Sequence, residues 1–368
     1  MKLAAALFCF LLPLAAFSAP ERFYIGVYTG PGKGEGIYTC TLDSVTGRLG
    51  PVTLAIKANN PGYLALSPDG SHLYSVTSDD GGSAAAYSFG KNGTLTLLNH
   101  VSAGGPGTCH INVDAAGKNV LVANYSGGNI GCIHLKADGS LGARTSAASF
   151  TGSGPDPVRQ TKSYAHFICT DAGSQFVYSC DLGSDHVWIY HFDADKGQFQ
   201  ALAGKQGIVP PGSGPRHLVF GPGQNFAYVN GEMGRNVTVF SRDKTTGGLT
   251  PVETLSLVPG KGPENGVTTA EIRRSGNWLY ISSRGDDILA VFKIGADGKL
   301  TFIEDVPSLV KFPRGLNIDP TGHWLVDAGQ NDGKIAVFSM DQSTGKLTAT
   351  GATATAPSAV DVLFVPGR

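Results

Sequence analysis

Gly214-Pro215-Arg216-His217-Leu218-Val219-Phe220-Gly221-Pro222-Gly223-Gln224-Asn225-Phe226-Ala227-Tyr228-Val229-Asn230 is one copy of a pattern that this chain writes six times. Each copy reads as an apolar strand, a turn of Pro, Asp or Gly, a second apolar strand ending in small polar residues, and then a third strand. The other copies begin at Pro61 (PGYLALSPDGSHLYSV), Thr108 (TCHINVDAAGKNVLVAN), Ala165 (AHFICTDAGSQFVYSC), Thr269 (TAEIRRSGNWLYISS) and Pro313 (PRGLNIDPTGHWLVDAG). Their turn glycines, Gly70, Gly117, Gly173, Gly223, Gly276 and Gly322, recur about 50 residues apart, which is the period of a repeat architecture.

Third strands follow at Asn236-Val237-Thr238-Val239-Phe240, Ile288-Leu289-Ala290-Val291-Phe292 and their equivalents. A fourth is announced by an xG(R/S/K/T)L element, as in Thr46-Gly47-Arg48-Leu49, Asp138-Gly139-Ser140-Leu141 and Asp297-Gly298-Lys299-Leu300. Four short antiparallel strands per period with no helical pattern predict an all-β fold, the β-propeller. The ends of the chain complete the count. The segments at 23–28 and 36–42 lack an inner strand, and Ser358-Ala359-Val360-Asp361-Val362-Leu363-Phe364-Val365 supplies one. Pairing the N- and C-terminal strands closes a ring and removes its exposed edges. The expectation is a seven-bladed propeller of four antiparallel strands per blade, forming a single domain over residues 20–368.

Composition agrees. Fifty-one glycines and only 15% charged residues describe tight turns between buried strands. A formal charge of -1 gives no overall attraction to nucleic acid or to an anionic membrane, so any ionic function must be local. Residues 1–19 carry Lys2, then an apolar run of about 15 residues broken by Pro13 and ending in Ala16-Phe17-Ser18-Ala19. They read as a signal peptide, too short for a membrane anchor, so a periplasmic or secreted protein with no membrane insertion is expected. Without Cys9, five cysteines remain, Cys40, Cys109, Cys132, Cys169 and Cys180. The odd number leaves a free thiol; a bridge within Cys109/Cys132 or Cys169/Cys180 is open.

Propeller topology then places residues. Inner strands line the channel, and the starts of first strands share a rim with the ends of second strands. First-strand starts carry His110, His166, Arg216 with His217, Glu271 and Arg314; second-strand ends carry Asp79, Asn124 with Tyr125, Asp181, Glu232, Arg284 and Gln330 with Asn331. A concave mouth lined by a few convergent polar groups is where small ligands bind. Structural alternatives stand beside these readings: His110 or His217 as a satisfied core histidine, and Arg216 or Arg314 as a partner of Glu232 or Asp181. Asp69, Asp114, Asp171 and Asp319 fall in the first turns, where a carboxylate caps backbone amides. The glycine-rich segment from Gly30 to Gly36 lacks the GxxxxGK[ST] order and reads as a rim loop. GxSxG, HExxH and EF-hand patterns are absent. A mouth rich in Arg and His favours an anionic organic ligand over a metal, and no cofactor is expected.

At these residues the chain resembles the seven-bladed lactonase family, which includes 6-phosphogluconolactonases and carboxymuconate-cyclising enzymes. The resemblance rests on Tyr28-Thr29-Gly30, Gly36-Ile37-Tyr38, Asn60-Pro61 with Leu66-Ser67-Pro68-Asp69-Gly70, and Cys109-His110 with Val122-Ala123-Asn124-Tyr125. It extends through Gly214-Pro215-Arg216-His217, Ser283-Arg284-Gly285 and Pro313-Arg314-Gly315. It implies a catalytic set of His166, Arg216, Glu232 and Arg284, with His110, His217 and Arg314 nearby; these three, together with Tyr125 and Gln330 of the same rim, are expected to bind substrate. Glu232 or His166 would act as general base. Arg216 and Arg284 would hold an anionic group and the oxyanion. The expected activity is metal-independent opening of a sugar or other anionic lactone by a monomer; a non-catalytic propeller binding a small ligand or a protein partner at the same rim, and a muconate-type cyclase, remain as alternatives.

Overall fold

A computed structural model describes residues 20–77 and 81–367. The predicted leader and Asp79 lie outside the described residues. Seven four-stranded antiparallel sheets form the blades. Blade 1 takes its inner strand, Ala359–Val365, from the C-terminus and its other three, Glu21–Val27, Gly36–Leu42 and Thr53–Lys57, from the N-terminus. The two ends meet in register, with Phe23 opposite Phe364 and Ile25 opposite Val362. Blades 2 to 7 follow in chain order, their inner strands being Leu64–Leu66, Thr108–Val113, Ala165–Thr170, Pro215–Phe220, Thr268–Ser275 and Pro313–Ile318. The described helical elements are short 3₁₀ turns, among them Lys91–Gly93 and Pro222–Gln224.

Burial explains the strand sequences. Second strands such as Phe176–Asp181 and Asn119–Asn124 are buried on both faces because blades pack on each side of them, and they read as unbroken apolar runs. Fourth strands such as Leu249–Ser256 form the outer edge and alternate exposed polar residues with half-buried ones. The hydrophobic clusters sit between neighbouring blades. One joins Phe23, Ile25 and Val27 of blade 1 to Val326, Ile335 and Val337 of blade 7, so closing the ring also completes a core.

The xG(R/S/K/T)L elements prove to be inter-blade fasteners as well as turns. Tyr228 of blade 5 donates its hydroxyl to the carbonyl of Gly298 in blade 6 at 2.9 Å, and the same bond joins Tyr24 to Gly93, Tyr74 to Gly139, Tyr178 to Gly247 and Tyr280 to Gly345. Where the tyrosine is missing, another side chain reaches the equivalent turn: Asn119 donates to Ala194 O and Trp324 to Ser44 O. Gly298 has φ of +78°, and a Cβ there would lie 2.3 Å from the Phe226 ring of the preceding blade. Only glycine fits both the turn and the neighbour.

The first-turn aspartates act as expected. Asp171 caps the amides of Gln175 and Phe176 at 2.8 and 2.9 Å, and Asp319 those of Thr321 and Trp324 at 3.1 and 2.7 Å. Asp171 also meets the buried Arg242 of blade 5 at 2.7 Å. All five described cysteines are free, so neither cysteine pair is bridged.

Candidate functional site

The inner strands do not run as regular ladders. Their pairing slips once near the start in five consecutive blades: between Thr108 and His110, Ala165 and Phe167, Pro215 and His217, Thr269 and Ile272, and Pro313 and Gly315. The residues passed over are Cys109, His166, Arg216, Ala270 with Glu271, and Arg314. A bulge re-aims the extra residue and sharpens the local twist. Repeated around the ring, it turns the side chains of separate blades toward one mouth.

Glu232, just past the second strand of blade 5, is the centre of this mouth. Its Oε1 accepts from Arg159 Nη2 at 2.6 Å; its Oε2 accepts from Arg216 Nε at 3.0 Å and stands 3.1 Å from Arg284 Nη2. His166 Nε2 lies 3.9 Å from Oε2, beyond hydrogen-bond range. Burial alone would push the Glu232 carboxyl up; the guanidiniums of Arg284, Arg216 and Arg159 together outweigh it and hold the group far below the usual carboxylate range. The His166 pKa is lowered too, which for an imidazole favours the neutral form. Burial, then Arg216, keep it well below the ordinary histidine value, so His166 is neutral at pH 7, and among the described residues its Nδ1 has no hydrogen-bond partner. Burial, only partly offset by Glu232, lowers Arg284 to about 9.

Behind Glu232 a chain of hydrogen bonds runs into the channel. Arg216 donates Nη1 to Ala270 O and approaches His217 Nε2 at 3.3 Å; His217 Nδ1 meets Glu271 Oε1 at 2.9 Å. Because Glu271 requires a proton on Nδ1, His217 is the neutral Nδ1–H tautomer with Nε2 left to accept. Glu271 also meets Arg273 at 3.0 Å, and Arg273 donates to the Tyr63 hydroxyl at 3.2 Å. His110 sits deeper still, its ring 4.2 Å from Tyr63 and 4.3 Å from Phe167, and its Nδ1 accepts from the Ile168 amide.

Two adjoining cavities share Tyr28, Thr108, Cys109 and Arg314. The larger, about 610 Å³, adds His166, Glu232, Arg284, Arg159, Tyr125 and Phe312; the smaller, about 380 Å³, adds Arg216, His217, Glu271, Tyr63 and Lys33. Arg314 is half-buried, stacks on Tyr28 at 5.6 Å and, among the described residues, has no carboxylate partner. Among the described residues, no three His, Cys, Asp or Glu side chains are placed to hold a metal ion.

The structure thus gathers His166, Arg216, Glu232, Arg284, Tyr125, His217 and Arg314 at the cleft. It does not gather all the expected residues. His110 lies under the cleft, in the wall of a third cavity in the channel, and Gln330, half-buried at the end of a blade 7 strand, lines neither cavity of the mouth. Asn124 is spent on Thr108 and Ala103, and Asp181 on Tyr164, Ser184 and Trp188; the predicted pair of Arg216 is Glu232. Arg159 lies in the connector between blades 3 and 4, outside the repeat register, so no sequence pattern marks it. Lys33 belongs to the rim loop, to which the sequence assigns no role. Tyr28 belongs to the Tyr28-Thr29-Gly30 motif and Arg273 to the blade 6 inner strand, but neither place by itself implies contact with the site, and Phe312 carries no such signal.

Comparison with known proteins places this geometry. The family model described as Lactonase, 7-bladed beta-propeller, matches residues 22–364. A 6-phosphogluconolactonase from Bacillus subtilis is 35% identical over 346 residues, 93% of this chain and 97% of the relative. A 6-phosphogluconolactonase from Pectobacterium atrosepticum is 31% identical, covering 87% and 92%. Among solved structures, a periplasmic gluconolactonase from Pseudomonas aeruginosa superposes with a TM-score of 0.88 at 28% identity, over 95% of this chain and all of the other. The chain belongs to the seven-bladed β-propeller lactonase family.

Proposed function

We propose that this protein is an exported lactone hydrolase that opens a sugar lactone or related lactone carrying an anionic group, with His166 as the proton acceptor. The observation that carries the reading is the pairing of a neutral, buried His166 with an ionised Glu232 3.9 Å away, beside three guanidinium groups. Glu232, held far below the usual carboxylate range by those arginines, is too weak a base for water at neutral pH. His166 is neutral and free to accept. Once it has taken a proton, the adjacent carboxylate stabilises the imidazolium, and Glu232 itself stays ionised throughout.

In the forward direction the water oxygen bonds to the lactone carbonyl carbon while His166 takes a water proton. Negative charge on the former carbonyl oxygen faces the guanidinium cluster, which is preorganised and partly dehydrated. The ring C–O bond then breaks, the proton passes from His166 to the leaving ring oxygen, and the product hydroxy acid ionises. Arg314 and Lys33, in the neighbouring cavity, suit the anionic substituent. The hydrogen-bond chain through His217 and Glu271 fixes the guanidinium of Arg216. Relatives named 6-phosphogluconolactonase support the lactone class, and the leader-like segment together with a periplasmic gluconolactonase among the structural relatives supports export.

The chain from residue 20 onward, assayed by pH-stat on a panel of phosphorylated and unphosphorylated aldonolactones, is expected to open at least one far faster than buffer. Spontaneous rates across the whole panel would refute the reading. Fractionation of cells expressing the full chain is expected to place it outside the cytoplasm, and retention of residues 1–19 on a cytoplasmic product would refute export.

A further inference from the structure

We propose that Arg159 is the cation that receives the carboxylate formed when the lactone opens, releasing Glu232 to do so. The proposal rests on the lactone-hydrolase reading and adds a residue to it. The starting observation is a surplus of charge: Arg159, Arg216 and Arg284 surround a single carboxylate, Glu232, and half-buried Arg314 lines the same cavity. The cleft is built to take another anion.

The three guanidiniums around Glu232 are not equivalent. Arg216 is committed to Ala270 O and His217, and Arg284 to Thr269 O and the face of Phe312 at 5.1 Å. Their side chains are 3% and 5% exposed, whereas that of Arg159 is 40% exposed. Apart from Glu232, its described contact is one bond to the Tyr125 hydroxyl at 3.4 Å. Arg159 is the one that can exchange partners.

Its backbone is fixed from within the connector, while its side chain is held by Glu232 and Tyr125. Asp156 Oδ1 accepts from the amides of Val158 and Arg159 at 2.9 and 2.8 Å. The next residue, Gln160, is fully buried and donates to Leu182 O and Asp185 Oδ1, both at 2.9 Å. The connector therefore presents the guanidinium from a rigid base into the cavity that holds His166. Hydrolysis turns a neutral ester carbonyl into a carboxylate at this point. Moving from Glu232 to that carboxylate replaces one charge-assisted contact, Nη2 to Oε1, with another of the same kind, so the exchange is close to balanced and reversible, as product release requires.

Titration calorimetry of the chain from residue 20 onward with gluconate, a hydroxy-acid product, and with glucitol, its uncharged analogue, tests this without turnover. Arg159→Ala is expected to weaken gluconate binding roughly tenfold or more, and Arg159→Lys to recover part of the loss, since one charge-assisted contact is removed and then partly replaced. Glucitol binding is expected to stay within twofold in both variants. Thermal unfolding of each variant checks that the fold is retained, and if Arg159→Ala fails to fold, the Lys variant carries the comparison with a smaller gluconate-specific loss. Equal losses for gluconate and glucitol, gluconate binding that ignores the substitutions, or no gluconate binding by the unmodified protein would overturn the proposal. Lactone opening is measured separately, so an inactive protein that binds gluconate through Arg159 sinks only the hydrolase reading.

Discussion

Replacing Glu232 by glutamine removes one negative charge at nearly constant shape and leaves the surrounding cations unpaired. Two effects can be sized. At 3.9 Å and an effective dielectric constant of 20, a carboxylate stabilises a protonated His166 by about 4 kcal/mol, which is roughly a thousandfold in rate if the imidazolium forms in the transition state. Arg216 and Arg284 are almost fully buried, and stripping a buried ion of its partner costs about 3–5 kcal/mol. Glu232→Gln is therefore expected to reduce kcat by two to three orders of magnitude and to lower the unfolding free energy by several kcal/mol. Initial rates by pH-stat on the best lactone, with urea unfolding followed by tryptophan fluorescence, measure the two together. A variant that keeps more than a tenth of the rate would refute the role of Glu232 beside the base. One whose stability changes by less than about 1 kcal/mol would refute the view that it neutralises the buried arginines.

Three further outcomes follow from the same geometry. His166 acts only when neutral, and burial and Arg216 lower its pKa, so the acid limb of kcat/KM should lie below the ordinary histidine value of about 6.5; a limb at or above it, or a His166→Asn variant within threefold of full rate, would remove His166 as base. Asp361, on the inner strand of blade 1, is raised by burial to about 7, partly countered by Arg273; its stabilising contribution is thus present below about pH 4 and lost as the pH rises through 7, and Asp361→Asn should raise unfolding free energy at pH 8, by no more than about 4 kcal/mol, and much less at pH 4. An equal change at both pH values would refute that titration. For the fasteners, Tyr228→Phe should cost about 1–3 kcal/mol by orphaning the buried Gly298 carbonyl, and Gly298→Ala at least as much, since its Cβ would meet Phe226; denaturant unfolding within 0.5 kcal/mol of the parent for Gly298→Ala would refute the reading.

Much of this was legible before any coordinates. The turn glycines give the period, strand patterns the four-strand blade, and the unpaired apolar segments at 23–28 and 358–365 the closure. Once the ring is drawn, strand direction alone places His166, Arg216, Glu232, Arg284 and Arg314 on one rim, because strands of a propeller blade run up and down and their ends recur at fixed heights. The same logic sent His110 and Gln330 to that rim. His110 follows the bulge at Cys109, which turns it down the channel instead of out of it. Gln330 lies after the blade 7 strand Trp324–Gly329, with its backbone amide bound to Phe312, and the side chain lining the cavity from that side is Phe312.

The repeat, the number of blades and the rim on which the candidate site lies follow from local apolar patterning and turn chemistry that each segment states on its own. Which charges meet follows only from the packing of blade on blade. Glu232 lies 73 residues from Arg159 and 52 from Arg284, and a carboxylate in sequence carries no mark of how many guanidiniums surround it. Its ionised state, the neutrality of His166 and the greater exposure of Arg159 all follow from distances between blades and from exclusion of water. Electrostatic energies in a buried site vary steeply with both, so they exist only once the ring has closed.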